Sequence, residues 1–271
     1  MDDLERVLAS WRKLDARFER VRPTRWGAVV TDRRFPSIRD VNYARIEPTR
    51  HRPRFEDVVA ELAGDLTRVR AEHLHCVVFH PDRHTRLLAD ASSAGAALSW
   101  EIVMTRRSRA LDAPADVPVA ELRTFGPAFW RVFRRSAREF GAADPRVADQ
   151  VEAIERRLLR AGKRWFAVRD ARRVVALASL LLLDATALID HVVTLPHARR
   201  RGYADAIVRR LCDEAGAAGA KMCWLITDPD GPARRLYERL GFAEATTIAS
   251  TLQRFDGVEP QNTTRKSFSS P

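Results

Sequence analysis

The chain has 271 residues, of which 45% are hydrophobic and 31% are charged, which excludes a disordered polymer and allows one large or two modest domains. Its net charge is +11, but nearly all the cations are arginines spread along the whole sequence. We interpret that spread as solvated helix faces and do not expect a nucleic-acid partner.

The cysteines and the termini bear on the cellular compartment. Cys76, Cys212 and Cys223 are odd in number and lack CxxC spacing, which is typical of buried thiols in a reducing environment. The N-terminus is acidic and has no apolar signal-peptide core. The most apolar run, residues 174–183, is too short to cross a bilayer. We therefore expect a cytoplasmic protein with no membrane partner.

The first half of the chain alternates between strand and helix patterns. In chain order it predicts a helix within residues 1–20, strands at 26–31 and 41–46, a helix at 55–69, a strand at 76–79, a helix at 87–94 and a strand at 99–104. Strand, helix, strand, helix, strand is an α/β half-unit. Residues 106–118, rich in arginine, proline and small side chains, are the predicted linker.

The second half begins with two helices and continues as an antiparallel meander. It predicts a strand at 119–122, helices from Phe129 to the stop at Gly141 and from Pro145 to Gly162, strands at 165–168, 174–183 and 187–195, a helix from Gly202 to Gly216, a strand at 222–227, a helix at 232–240 and a last strand at 246–255. Asp144 is the predicted N-cap before Pro145. The polar tail, residues 256–271, is predicted to be disordered.

The junction from Leu195 to Ala204 is the strongest local signal. A β-branched strand ends at Pro196, arginines follow, and Gly202 opens an amphipathic helix. Unpaired N–H groups in a first helical turn, together with the helix dipole, bind phosphate. Small residues at 202 and 204 leave room for a pyrophosphate to approach the backbone.

Two motifs around this junction resemble a known family. Arg199-x-x-Gly202-x-Ala204 resembles the R/Q-x-x-G-x-G/A loop of the GCN5-related N-acetyltransferases (GNAT). Asp230-x-x-Ala233-x-x-Leu236-Tyr237-x-x-x-Gly241-Phe242 is similar to their later N-x-x-A-x-x-L-Y-x-x-x-G-F segment, with aspartate at 230 where asparagine is usual. An aspartate there can still cap the helix, but it brings negative charge near the cofactor. The resemblance spans roughly residues 117–253.

The resemblance implies an α/β fold of α+β type, the acyl-CoA N-acyltransferase fold, whose mixed and mostly antiparallel sheet is flanked by helices. It also implies acetyl-CoA as cosubstrate and an amine of a small molecule or peptide as acceptor. The family's fourth and fifth strands splay, which would free backbone groups for the cofactor. The cofactor-binding residues implied in this way are Val193, Thr194, Leu195, Arg199, Arg200, Arg201, Gly202, Tyr203, Ala204, Asp230 and Ala233. Arg200 and Arg201 can equally be a solvated flank.

The resemblance also implies a general acid, while the base stays open. Tyr237 stands where many relatives protonate the leaving thiolate, although a core tyrosine is the alternative. Asp190 and His191 interrupt an apolar strand beside the site, so each is a candidate base. Strand alternation predicts that their side chains point to opposite faces.

The division of the chain is a further expectation. Residues 1–110 have the element order of the latter part of the same fold but no glycine loop, so we interpret them as a degenerate GNAT-like α/β domain that binds no acetyl-CoA. Residues 111–255 are then the catalytic domain. A homodimer is compatible with the sequence, which does not fix the oligomeric state.

The sequence allows three other interpretations. His73, His75, His80 and His84 could suggest a metal, but their spacing favours surface histidines flanking a strand, and no metal site is predicted. A non-catalytic acyl-CoA-binding sensor or scaffold is the first alternative function. An arginine-rich nucleic-acid-binding protein is the second.

Overall fold

The structure is a computed structural model that describes residues 2–108, 117–139, 143–171 and 173–255. Within these ranges the helices are α1 (Asp3–Asp15), α2 (Phe55–Val69), α3 (Thr85–Ser93), α4 (Pro127–Glu139), α5 (Pro145–Arg160), α6 (Tyr203–Ala217) and α7 (Pro232–Arg239). The strands are β1 (Arg20–Thr24), β2 (Gly27–Thr31), β3 (Tyr43–Ile46), β4 (His73–Phe79), β5 (Ala97–Arg107), β6 (Val119–Leu122), β7 (Arg164–Asp170), β8 (Arg173–Leu183), β9 (Thr186–Thr194), β10 (Met222–Thr227) and β11 (Ala243–Arg254).

Most predicted elements are confirmed within a few residues, and two differences have clear causes. Strand β1 was missed because it is an edge strand with a proline and two arginines, so it lacks an alternating apolar pattern. Strand β5 continues to Arg107, into the predicted linker, because its end pairs with β10. Residues 109–116, Gly141 and the tail from 256 lie outside the described residues.

All the described strands join in one sheet of mixed, mostly antiparallel pairing, in the order β1-β2-β3-β4-β11-β5-β10-β9-β8-β7-β6. The parallel pairs are β3 with β4 and β9 with β10. Each of these pairs is joined through one helix, α2 or α6, as a parallel connection requires. The predicted fold class is therefore confirmed.

The two halves of the sheet exchange their last strands. Strand β5, from the first half of the chain, lies between β10 and β11, and β11, from the second half, lies between β4 and β5. The series β3-α2-β4-α3-β5 thus corresponds to β9-α6-β10-α7-β11 around the central β5–β11 pair. The division near residue 110 stays a prediction, but hydrogen bonds of one sheet cross it.

Helices cover both faces of the sheet. Helices α2 and α3 pack on Cys76 and Val78, and α6 packs on Phe166 and Ile189. On the opposite face, α1 packs on Phe79 and Trp224, and α4 packs on Trp165. In the second half of the sheet, α6 and α7 therefore lie on one face and α4 on the other.

The close approach of β2 to β3 makes Gly27 a point of high sensitivity. Its φ is 147°, and a Cβ built there would lie 2.0 Å from the carbonyl oxygen of Arg45. We expect Gly27→Ala to lower the free energy of unfolding by about 2–4 kcal/mol through strain and steric overlap. Gly64→Ala is the matched control, because Gly64 lies within α2 with no atom within 4 Å of the added Cβ. It should raise stability by about 0.5–1 kcal/mol. Urea denaturation of both variants measures the difference.

Candidate functional site

Strands β9 and β10 separate part of the way along their length. They pair only from Thr186 to Leu188 on β9 and from Met222 to Trp224 on β10. Residues 189–194 of β9 continue beside β8 alone. The backbone groups of β9 that face β10 therefore border an opening between the strands, as the family resemblance implied.

A bulge at His191 changes the direction of the side chains in this opening. The register of β8 and β9 shifts between Leu177 and Ser179, and His191 has a φ of 53°. A left-handed conformation is costly for a residue other than glycine, so the bulge is a local strain of the kind found at functional sites. The expectation from alternation is wrong for this reason: Asp190 and His191 lie together, with Nδ1 of His191 2.7 Å from Oδ2 of Asp190.

The carboxylate of Asp190 is held by three donors. Its Oδ1 accepts the His191 amide at 2.8 Å, and its Oδ2 lies near both Nδ1 of His191 and Nζ of Lys163, the latter at 3.1 Å. Desolvation opposes the charged form, but the neighbouring His191 and Lys163 outweigh it and hold the pKa of Asp190 well below its usual range. Asp190 is thus an ionised partner of His191 and a poor base itself.

Behind Asp190 lies a buried ion pair that the sequence analysis missed. Nζ of Lys163 lies 2.8 Å from Oε2 of Glu155, and both side chains are almost completely buried. Burial alone would lower the pKa of Lys163, but Glu155 and Asp190 together raise it. The only sequence signal was that Lys163 is one of four lysines in an arginine-rich chain.

Aromatic rings flank the imidazole. The ring of His191 lies 5.4 Å from that of Trp165 and 5.6 Å from that of Phe133, and its side chain is 24% exposed. With Nδ1 donating to the ionised Asp190, the lone pair of Nε2 is available to accept a proton. Of the two candidate bases, the geometry favours His191.

The loop before α6 presents a group of amides. Gly202 is its N-cap, with a φ of 76°, and a Cβ at this position would meet no atom within 4 Å. Among the described residues, the amides of 200–205 donate no backbone hydrogen bond. Tyr203 and Ala204 begin the helix and are half-buried. We call the amides of residues 200–205 the cradle, and their arrangement suits a phosphate group.

The strand end and the arginines complete the rim of the cradle. Nε of Arg199 donates to the carbonyl oxygen of Thr194 at 3.1 Å, and the amide of Leu195 donates to Val175 on β8. Arg201 forms an exposed ion pair with Asp170 at 3.1 Å, and Arg200 is exposed. The structure thus gives Arg201 a partner outside the cradle.

Two further observations bear on a long polar ligand in the opening. Val193 and Leu195 are buried, which anchors the strand end in the core. The hydroxyl oxygen of Thr194 is buried and makes no hydrogen bond with a described residue. A buried, unsatisfied hydroxyl calls for a partner, so the residues present fit a ligand with amide and phosphate groups.

Tyr237 lies on α7, on the other side of the opening. It is 5% exposed, its ring packs edge-on against Phe242, and Ala233 lies half-buried one turn earlier. Burial, with a smaller contribution from Asp190, raises the pKa of Tyr237 to about 12. The phenol therefore keeps its proton at neutral pH.

The cap expected from Asp230 is absent. Helix α7 begins at Pro232, so Gly231 is its N-cap, and no side chain caps it. Asp230 precedes the cap, is exposed, and donates its amide to Oδ1 of Asp228 at 2.9 Å. The cap prediction is wrong because the helix starts one residue later than a cap at 230 requires.

The histidines of the first half are not all on the surface. His75 and His84 are each 3% exposed, and Nδ1 of His75 lies 3.1 Å from the carbonyl oxygen of Arg39. The surface prediction is wrong for these two, and for His75 the cause is that the segment carrying Arg39 covers that face of β4. In the part of the chain that the structure describes, no three His, Cys, Asp or Glu side chains are placed to hold a metal. The three cysteines are buried, as predicted.

Comparisons with known proteins agree with this architecture. The model of the acetyltransferase (GNAT) family matches residues 129–242. A functionally unknown conserved protein from Staphylococcus epidermidis has a similar structure, with a TM-score of 0.69 and 12% identity over 87% of this chain and 94% of that one. A GCN5-related N-acetyltransferase from Kribbella flavida has a TM-score of 0.58 and 15% identity, covering 95% and 97% of the two chains.

A third solved structure is similar over a shorter stretch. It is a GCN5-related N-acetyltransferase from Sphaerobacter thermophilus, with a TM-score of 0.51 and 15% identity over 74% of this chain and 67% of that one. Among curated proteins, none matches the sequence. None of the helices in the described ranges has the length and apolar character needed to cross a membrane.

Proposed function

We propose that this chain, whose residues 129–242 match the model of the acetyltransferase (GNAT) family, moves an acetyl group from acetyl-CoA to a primary amine of a small molecule or peptide by direct transfer. One observation carries the proposal. Strand β9 separates from β10 after Leu188 and leads into the Gly202 cradle at the start of α6. A donor that carries a pyrophosphate and a thioester needs a cradle of amides for the pyrophosphate and, leading into it, a free strand edge for the part that ends in the thioester.

The donor would be held by this chain's backbone more than by its side chains. The amides of residues 200–205 are available to a pyrophosphate, with Arg199 at the rim. The freed edge of β9, around Val193 and Thr194, would hold the extended part of the donor. Acetyl-CoA supplies an acyl group activated as a thioester.

Proton movements can be assigned to two side chains. Nε2 of His191 would accept a proton from the acceptor amine as the C–N bond forms, while the ionised Asp190 supports the imidazolium. The hydroxyl of Tyr237 would donate its proton to the sulfur as the C–S bond breaks. With a pKa of about 12, Tyr237 is protonated and ready for this role at neutral pH. The two residues thus divide the acid and base work.

The test uses the full chain with acetyl-CoA and a panel of small primary amines and peptides with a free amine. We expect calorimetric binding of acetyl-CoA, and amine-dependent release of free thiol with an acetylated product of matching mass. A reaction without amine corrects for hydrolysis. Binding without thiol release across the panel would replace the proposal with a sensor or scaffold. Absence of binding would contradict both.

A further inference from the structure

We propose that Glu155 and Lys163 are positioning residues that lock Asp190 and His191 into one charged network, so that Nε2 of His191 is the proton acceptor. This inference rests on the proposed function, in which His191 accepts the proton of the acceptor amine. The two residues belong to neither motif of the family resemblance. They reach the site from α5 and from the turn before β7.

Burial separates this network from an ordinary surface ion pair. The side chains of Lys163 and Glu155 are 2% and 3% exposed, while that of Asp190 is 40% exposed. Burying a lysine and a carboxylate costs hydration energy, and an apolar pair of the same size would often be as stable. The buried charges are therefore better explained by what they orient, which is the half-buried Asp190 carboxylate.

Glu155 has a second contact that also ends at His191. Its Oε1 accepts from Nε1 of Trp165 at 2.6 Å, while its Oε2 accepts from Lys163. The ring of Trp165 in turn lies 5.4 Å from that of His191. The Glu155 carboxylate thus fixes the positions of both the Trp165 ring and the Lys163 ammonium. The first lies beside the His191 imidazole, and the second holds Asp190, the partner of that imidazole.

The charges of the network match a protonated imidazole. The described charged groups linked to His191 by contacts are Asp190 directly and Lys163 and Glu155 behind it, while Tyr237, whose pKa Asp190 helps to raise, is neutral. Asp190 and Glu155 oppose two carboxylates to the one ammonium of Lys163, so the network carries one net negative charge and a proton on His191 brings it to neutrality. Removing a negative charge should therefore disfavour that proton, and removing the positive charge should favour it.

The kinetic test compares Glu155→Gln and Lys163→Gln in the full chain with acetyl-CoA and the best amine. For Glu155→Gln we expect the acidic limb of kcat/KM to move about 0.5 pH units lower, and for Lys163→Gln about as far higher. Both should lower kcat about tenfold through loss of orientation. Shifts of opposite sign are a signature that general destabilisation cannot produce.

The matched control is Glu47→Gln. Glu47 is 6% exposed and forms ion pairs with the buried Arg45 and with the partly exposed Arg12 in the first half of the chain. Glu47→Gln should lower the melting temperature about as much as Glu155→Gln does, and it should leave the acidic limb of the pH profile of kcat/KM in place. If Glu155→Gln and Lys163→Gln likewise lose stability and leave the limb in place, the network is structural only and the inference is overturned.

A second measurement needs no turnover. In the unliganded wild type at neutral pH, nitrogen-15 NMR of the histidine rings should show His191 with its proton on Nδ1, assigned by the signal missing from His191→Gln. Glu155→Gln should weaken that preference, and this variant decides the matter if Lys163→Gln fails to fold. A proton on Nε2 in the wild type overturns the inference. The Nδ1 form without acetyl transfer to any amine would sustain the network and contradict the proposed function.

Discussion

Gly202→Glu is expected to weaken acetyl-CoA binding about 1000-fold, or about 4 kcal/mol, in a calorimetric titration of the full chain. Gly202 caps α6 with a φ of 76°, and its Cβ position is open. The new carboxylate would project over the amides of the cradle, compete for them and repel the pyrophosphate. The loss should be in affinity more than in folding, because no neighbouring atom obstructs the side chain.

The other end of the same helix region provides the matched control, Gly219→Glu. Gly219 has a φ of 86° and, like Gly202, no atom within 4 Å of an added Cβ. Both variants therefore carry the same charge and a similar backbone strain, but only Gly202→Glu should lose binding. Equal affinities of the two variants for acetyl-CoA would show that the cradle is not part of the donor site.

The same titration tests the first half of the chain. There β3 pairs with β4 up to its last residue, Ile46 opposite Val78, so these strands show no opening of the β9–β10 kind. We expect one donor site per wild-type chain and no site of wild-type affinity in Gly202→Glu. A remaining site in that variant would place a donor in the first half.

Tyr237→Phe is expected to lower kcat about 100-fold or more while leaving the Kd for acetyl-CoA near that of the wild type. The ring stays in its packing against Phe242, and only the hydroxyl that would protonate the leaving sulfur is removed. Since the pKa of Tyr237 is raised to about 12, wild-type activity should not decline through its ionisation below about pH 11.

Tyr43→Phe controls for the loss of a buried hydroxyl. The hydroxyl of Tyr43, on β3 in the first half of the chain, accepts from Nε1 of Trp11 and donates to Oδ1 of Asp15, both at 2.7 Å. We expect this variant to lose stability and keep kcat. If Tyr237→Phe loses affinity and kcat by the same factor, Tyr237 has a packing role.

Elements with a complete local pattern could be predicted from sequence. The bounds of α2 and β10 were predicted to the residue, and Asp144 caps α5 as expected, accepting the amide of Arg146 at 2.8 Å. The exchange of β5 and β11 could not be predicted, because hydrophobic period identifies a strand and its buried face but not its neighbour in the sheet.

The candidate site, too, could be predicted only in part from the sequence. The loop at Gly202 carries a contiguous signal, and the structure places it at the start of α6. The pairing of Asp190 with His191 depends on a β-bulge at His191, and the sequence has no glycine there that would indicate a bulge. Simple strand alternation therefore predicts the wrong face for one of the two side chains. Glu155 and Lys163 join Asp190 from different elements, and only the folded chain brings them together.

The exchange of β5 and β11 also sets an order of events during synthesis. The edge of β4 has its partner only once β11, which ends at Arg254, has left the ribosome, although β4 itself ends at Phe79. Unpaired strand edges invite association with other chains. The first half must therefore keep an open β4 edge until the second half of the sheet has been made.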